Sequence, residues 1–234
     1  MTVAIIGDSR GIGQALREQM LAGGATVIGV SRTGVQRPSD EATNRYQSLV
    51  FDAVAHPCDL TAFASALDGL VYCPGSITLK PLRGIKREHA LHDLEVNYLG
   101  ALQTLQANAK LLQASERASV VLFSTVAVGM GMPFHASIAG AKGAVEGLTR
   151  SLAAEWAPKV RVNAIAPSLT DTSLAETLLN SESKRTAAEE RHPAQRIASA
   201  DEVASFAAWL LSGGSSSMTG QVLSLDGGMS RVRK

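Results

Sequence analysis

Cysteine is scarce in this chain. Cys58 and Cys73 are the only two among 234 residues, and their separation suits neither a metal site nor a redox pair. Both read as small buried hydrophobes, so no metal is expected and a reduced, cytoplasmic setting is. Long hydrophobic runs are missing as well. No stretch approaches the roughly 20 consecutive apolar residues that span a bilayer. The opening run Val3-Ala4-Ile5-Ile6-Gly7 is too short for a signal peptide and lacks its basic start. An excess of either charge is also absent. Lys and Arg number 22 against 21 Asp and Glu, so nothing draws the chain to nucleic acid or a membrane surface.

What the chain does have is an alternation of short apolar runs with helical patterns. The runs Val3–Ile6, Thr26–Val30, Gln47–Phe51, Leu70–Cys73, Ser119–Phe123, Val160–Ile165 and Gln221–Leu225 read as strands. Apolar residues recur at helical spacing in Ile12–Leu21, Leu94–Leu112, Ala139–Trp156 and Asp201–Leu211. Continuous apolar strands separated by helices predict a parallel sheet covered on both faces. Right-handed crossovers then give a doubly wound, Rossmann-type α/β fold with seven strands, in one domain over residues 1–234. Ser168–Arg196 stands out as a long charged, irregular piece. A loop of that length in a compact domain is expected to be a functional lid or a disordered segment.

The first strand runs into Gly7-Asp8-Ser9-Arg10-Gly11-Ile12-Gly13, which opens the first helix. Glycines there permit a tight turn and let a pyrophosphate approach amides at a helix N-terminus. A glycine cluster alone is weak, because turns use glycine freely. Its place between a strand and an amphipathic helix makes it specific.

That loop, with Gly7, Ser9, Arg10, Gly11, Ile12 and Gly13, resembles the cofactor fingerprint of the short-chain dehydrogenase/reductase family. So do Val96-Asn97-Tyr98-Leu99-Gly100, Arg161-Val162-Asn163-Ala164-Ile165-Ala166-Pro167, Asp201-Glu202-Val203-Ala204, Thr219-Gly220-Gln221 and Asp226-Gly227-Gly228. The resemblance covers essentially the whole chain. It implies a nicotinamide cofactor held also by Gly75, Asn97, Lys142, Pro167, Thr170 and Thr172, and assembly as a homotetramer or homodimer. Two positions depart from the pattern. Cys73-Pro74-Gly75 stands where the family has Asn-Ala-Gly, and Ser168 follows Pro167 in place of Gly, at the floor of the nicotinamide pocket.

In such folds a carboxylate at the end of the second strand grips the ribose of NAD and repels a 2′-phosphate. Here the strand ends Val30-Ser31-Arg32-Thr33. It offers no acid, and Arg32 is a charge-assisted phosphate partner. By resemblance to NADP-preferring relatives Arg10 faces the same phosphate, so NADP(H) is expected over NAD, with Ser31 and Arg32 at the phosphate; the plainer alternative is that Arg10 and Arg32 are solvated surface charges. Asp52 matches the family position that meets the adenine. Asp59, in Asp59-Leu60-Thr61, reads as a helix N-cap instead.

The catalytic segment carries the largest departure. The family has Ser, then Tyr thirteen positions on, then Lys four later. This chain has Thr125, Ile138 and Lys142. By resemblance the phenol handles the proton, the Lys lowers its pKa and holds the nicotinamide ribose, the Ser steadies the substrate oxygen, and the Asn holds a water. Isoleucine can neither donate nor accept, so the general acid–base is missing while Thr125, Asn97 and Lys142 remain.

Tyr98 adjoins Asn97 but points about 100° away on a helix. His135 is the better substitute. It precedes Ile138 by three and Lys142 by seven, on one helical face. Divergent enoyl-thioester reductases of the superfamily place their tyrosine seven positions before the lysine. Histidine as a residue type titrates near pH 6.5, which suits proton transfer at neutral pH. If the helix begins after it, His135 is instead a cap or surface residue. Two readings therefore stand side by side. One is an NADP(H)-dependent oxidoreductase acting on a small carbonyl, alcohol or activated alkene. The other is a cofactor-binding protein with little or no turnover, a sensor or partner subunit. An enoyl-type reductase would need a long apolar groove under the 168–196 lid.

Overall fold

The structure, a computed structural model, describes residues 1–35 and 44–233. Among these residues nine strands alternate with helices: β1 (Thr2–Ile6), β2 (Thr26–Ser31), β3 (Tyr46–Val50), β4 (Gly69–Tyr72), β5 (Ala118–Phe123), β6 (Val160–Pro167), β7 (Thr170–Asp171), β8 (Ala198–Ser199) and β9 (Val222–Leu225). Seven form one parallel sheet in the order β3-β2-β1-β4-β5-β6-β9. The order reverses between β1 and β4, which opens a crevice at the carboxyl edge of the strands. The central strands are buried along their whole length, which is why they read as unbroken apolar runs rather than alternating ones.

The helices are α1 (Gly11–Ala22), α2 (Arg87–Leu94), α3 (Gly100–Ala114), α4 (Ala127–Met130), α5 (Ala136–Trp156), α6 (Glu176–Leu179), α7 (Glu182–Glu190) and α8 (Ala200–Leu211). One face of the sheet is covered by α3 and α5, with Leu105, Leu112, Val145, Leu148 and Trp156 in the core. The other is covered by α1 and α8, with Leu16, Met20, Val203 and Leu210. The doubly wound, seven-stranded expectation is met.

Three local readings are corrected. The expected helix from Leu94 is broken by a π-turn over Glu95–Leu99, with α2 before it and α3 after it. Asp59 caps no helix. Its Oδ1 accepts from the Thr61 amide at 2.8 Å in a tight turn that is not continued. The Ser168–Arg196 stretch is not irregular. It holds β7, a 3₁₀ turn at Ser173–Ala175, α6 and α7, gathered on a small cluster of Ala175, Leu179, Ala188 and Ile197. Among the described residues no helix is long and apolar enough to cross a membrane, and no cluster of His, Cys, Asp or Glu could hold a metal ion.

Candidate active site

The chain leaves β1 through a turn that only glycine accepts. Gly7 and Gly11 have φ of +83° and +56°. A Cβ on Gly13 would sit 2.2 Å from the carbonyl oxygen of Gly7, so α1 could not approach the strand if residue 13 had a side chain. The Arg10 side chain at the N-cap makes no capping bond, which leaves the first-turn amides open to an anion. This cradle fits a dinucleotide's pyrophosphate. At the end of β2, Ser31 Oγ is buried and has no partner among the described residues, beside the exposed Arg32. Such an orphan needs an explanation, and a bound ribose or phosphate supplies one. Asp52 Oδ1 accepts from the amides of Val54 and Ala55, which fixes the turn after β3.

Beneath the loop lies a charge cluster that periodicity did not signal. Asp8 is fully buried and accepts from Tyr46 Oη at 2.5 Å. Arg17 Nη1 lies 3.8 Å from its carboxylate and donates to its backbone oxygen at 2.8 Å. Gly29 makes the room, since a Cβ there would strike Asp8 Oδ2. Burial first, and then the Asp8 bond, push the Tyr46 phenol up to about 12.

At the crevice the remaining candidates meet in one cavity of about 560 Å³, lined by Ile12, Gly75, Asn97, Thr125, His135, Ile138, Lys142, Pro167, Thr170 and Thr172, among others. Thr172 lies 3.6 Å from where a Cβ on Gly11 would be, and Ile12 lines the cavity, so one edge of the cavity lies beside the glycine loop. Gly7, Ser9, Arg10, Gly11, Gly13, Ser31, Arg32 and Asp52 lie outside this lining. They lie at or just beyond the carboxyl ends of β1, β2 and β3, Gly11 and Gly13 already in the first turn of α1.

Lys142 projects from α5 and donates from Nζ to Phe123 O at 2.8 Å, one bond of the three an ammonium can make. Burial drives its pKa down to about 8, with Cys73 and Asp93 pulling the other way. The Cys73 thiol is itself pushed up to about 12 by burial, so at neutral pH it is uncharged and Asp93 is the opposing charge that acts. Asn97 sits in the π-turn, a backbone form frequent at functional sites. Its Nδ2 donates to Ser76 Oγ and to Asp93 O. Thr125 Oγ1 accepts from the Ala127 amide at 3.3 Å.

His135 is the N-cap of α5, with φ −97° and ψ 8°. The expectation of a shared helical face with Ile138 and Lys142 is therefore corrected: α5 begins one residue later, at Ala136. The ring nonetheless lines the same cavity. Its Nδ1 lies 2.7 Å from Pro133 O. A carbonyl can only accept, so Nδ1 carries the hydrogen and Nε2 is the nitrogen free to gain or lose a proton.

Two further groups were not legible in the sequence. Asp93, wholly buried on α2, accepts from Ser76 Oγ at 2.7 Å, Thr78 Oγ1 at 3.2 Å and Ser137 Oγ at 2.5 Å. The second is His192 with Ser168. His192 Nδ1 donates to Ala188 O at 2.7 Å, which leaves Nε2 to accept from Ser168 Oγ at 2.8 Å. This bond ties the end of β6 to the segment after α7. No spacing rule joins residues 24 positions apart. The only signal was Ser168 itself, where the resemblance calls for Gly.

Comparison with known proteins agrees with the fold. A family model described as enoyl-(acyl carrier protein) reductase matches residues 6–230. A tropinone reductase homolog of Arabidopsis thaliana is 34% identical, over 98% of this chain and 92% of that protein. A short chain dehydrogenase family protein from Francisella tularensis superposes with a TM-score of 0.86 at 26% identity, covering 97% of this chain and 98% of that one. A gluconate 5-dehydrogenase from Burkholderia cenocepacia, solved with NADP and tartrate, gives 0.86 at 26% identity, covering 99% and 96%.

Proposed function

The chain belongs to the short-chain dehydrogenase/reductase family, and on that premise we propose that it is an NADP(H)-dependent oxidoreductase acting on a small carbonyl, alcohol or activated alkene. One observation carries the reading: Thr125, Asn97, Lys142 and His135 converge on a single cavity around Ile138, at the carboxyl edge of the sheet. The glycine loop, Ser31, Arg32 and Asp52 would hold the adenosine half, with Arg10 and Arg32 facing the 2′-phosphate. Gly75, Pro167, Thr170 and Thr172 would line the nicotinamide end. The cofactor of the Burkholderia neighbour, NADP, is of the proposed type.

When bound, the reduced nicotinamide supplies a hydride to the carbonyl carbon, and the oxygen then needs one proton. Ile138 has none to give. His135 Nε2, in its protonated form, donates that proton and recovers it from solvent at the cavity mouth. In the reverse direction the neutral ring accepts it. Thr125 donates to the substrate oxygen, and Lys142 donates to ribose hydroxyls with the N–H groups that Phe123 O does not use. Residues 168–196 form the lid, joined to β6 by the Ser168–His192 bond.

Assembly as a homotetramer, or as a homodimer, belongs to the same reading, supported by the long α5 and the edge strand β9. A cytoplasmic setting is supported by two unpaired thiols, Cys58 and Cys73. Titration with NADPH and NADH, followed by NADPH oxidation with a panel of carbonyls, tests the function. Tight NADPH binding with turnover is expected. Binding with no consumption by any carbonyl or enone would leave a cofactor-binding protein without catalysis.

A further inference from the structure

The polar side chains of the cavity are almost all engaged with the protein itself. Ser76 donates to Asp93 and Asn97 donates to Ser76. Ser168 is held by His192, and Ser124 donates to Glu146 Oε1 at 2.8 Å. Thr170 donates to Ser168 O and Thr172 to Thr170 O. Apart from the exposed Thr177 and Arg191, the hydrogen-bonding capacity left over among the described residues is the Thr125 hydroxyl proton, the spare N–H groups of Lys142 and Nε2 of His135. All three surround Ile138 in one cavity, and one of them, Lys142, is committed to the cofactor in the reading above. Most of the remaining wall is apolar: Ile77, Leu79, Met132, Leu169, Leu174 and Leu178. Among the described residues no carboxylate lines the cavity to receive a sugar's hydroxyls. The cations Lys184 and Arg191 stand at the solvent-exposed lid, and Lys184 already donates to Thr177 O and Asn180 Oδ1.

We infer that the substrate is an apolar carbonyl compound with a single oxygen function, recognised at that oxygen alone, and not a polyol or a sugar acid. The inference rests on the proposed oxidoreductase reading. It separates this chain from its Burkholderia structural neighbour, which is named for gluconate, a polyhydroxy acid. Large apolar side chains that are half-exposed here, Leu174 at 46% and Ile77 at 43%, lose water contact when such a substrate enters. Each hydroxyl of a polyol would instead give up its water against leucine or isoleucine, at a loss of about tenfold or more per hydroxyl.

The test uses the full chain with NADPH and three probes: 4-tert-butylcyclohexanone, fructose and a keto-gluconate. NADPH oxidation should favour the cyclohexanone by about 100-fold or more in kcat/KM. Preference for fructose or the keto-gluconate would overturn the inference. If no probe is reduced, the hydride reading fails while the pocket remains testable. The cyclohexanone should then still perturb the fluorescence of bound NADPH at millimolar concentration, and the two sugars should not. No perturbation by the ketone, or an equal one by the sugars, overturns the inference as well. Leu174→Asp should weaken the ketone effect about tenfold and leave NADPH affinity unchanged. An undiminished ketone effect in that folded variant would show that the apolar wall is not the substrate wall.

Discussion

Ser137 Oγ donates to Asp93 Oδ2 across 2.5 Å, so the residue just before Ile138 is fastened to helix α2. The same carboxylate takes Ser76 and Thr78 from the loop after β4, and the backbone oxygen of Asp93 takes the amide of Asn97. One buried acid thus fixes three walls of the cavity. It also opposes the positive charge of Lys142.

Asp93→Asn keeps the shape and removes the charge. The amide cannot accept from three hydroxyls as the carboxylate does, so stability should fall by about 1–3 kcal/mol, read by urea unfolding. Lys142 would lose a group that raises its pKa, which should carry the pKa below about 8. If NADPH binding needs the ammonium, wild-type affinity should fall as pH rises through about 8, and the fall should come at lower pH in Asp93→Asn. The groups bearing on Lys142 in this argument are Asp93 and the uncharged Cys73. An identical pH profile in both proteins would show that Asp93 acts only on the scaffold.

Lys142→Met should separate binding from stability. The folded pKa of about 8 lies below the ordinary lysine value of 10.5, so the unfolded chain holds the proton more tightly between those limits. Burying the ammonium therefore costs stability below pH 8, and the cost fades as pH rises toward 10.5. Its size at neutral pH is at most about 3 kcal/mol. The methionine variant without cofactor should accordingly melt higher than wild type at pH 7 while binding NADPH more weakly. A lower melting temperature and unchanged affinity would deny Lys142 a ligand role.

Arg32→Asp places an acid at the end of β2, where the exposed Arg32 follows the orphaned hydroxyl of Ser31. NADPH affinity should drop by about 10- to 100-fold, as expected for loss of a charge-assisted hydrogen bond plus new repulsion, and NADH affinity should hold or improve. Isothermal titration of both cofactors reads this directly. Wild type binding NADH as tightly as NADPH would contradict the assignment.

The parts legible in the sequence were those fixed by local rules. β1, β4 and β5 are buried on both faces and read as apolar runs. Gly7, Gly11 and Gly13 had to be glycine for reasons of φ and close approach that spacing reveals. The segment 168–196 was misread as irregular because α6 and α7 are short and polar, and they lean on Leu179, Ala188 and Ile197 rather than on their own periodicity. Asp93 hid in Arg-Glu-His-Ala-Leu-His-Asp, where nothing marks one polar residue as inward-facing. The Ser168–His192 bond joins distant positions, and only folding brings them together. His135 lines the cavity as a cap beside the helix and not as a member of its face, a difference that hangs on where α5 begins.

The central claim is that this family member transfers hydride without the phenol, using His135 for the proton. The most direct measurement follows NADPH oxidation by an apolar ketone in wild type and His135→Ala, with NADPH affinity determined for both. Wild type should turn over, and the variant should bind NADPH equally well yet lose at least about 100-fold in kcat, the size of a lost general acid. Full turnover by His135→Ala would contradict the account and move the proton source elsewhere in the cavity.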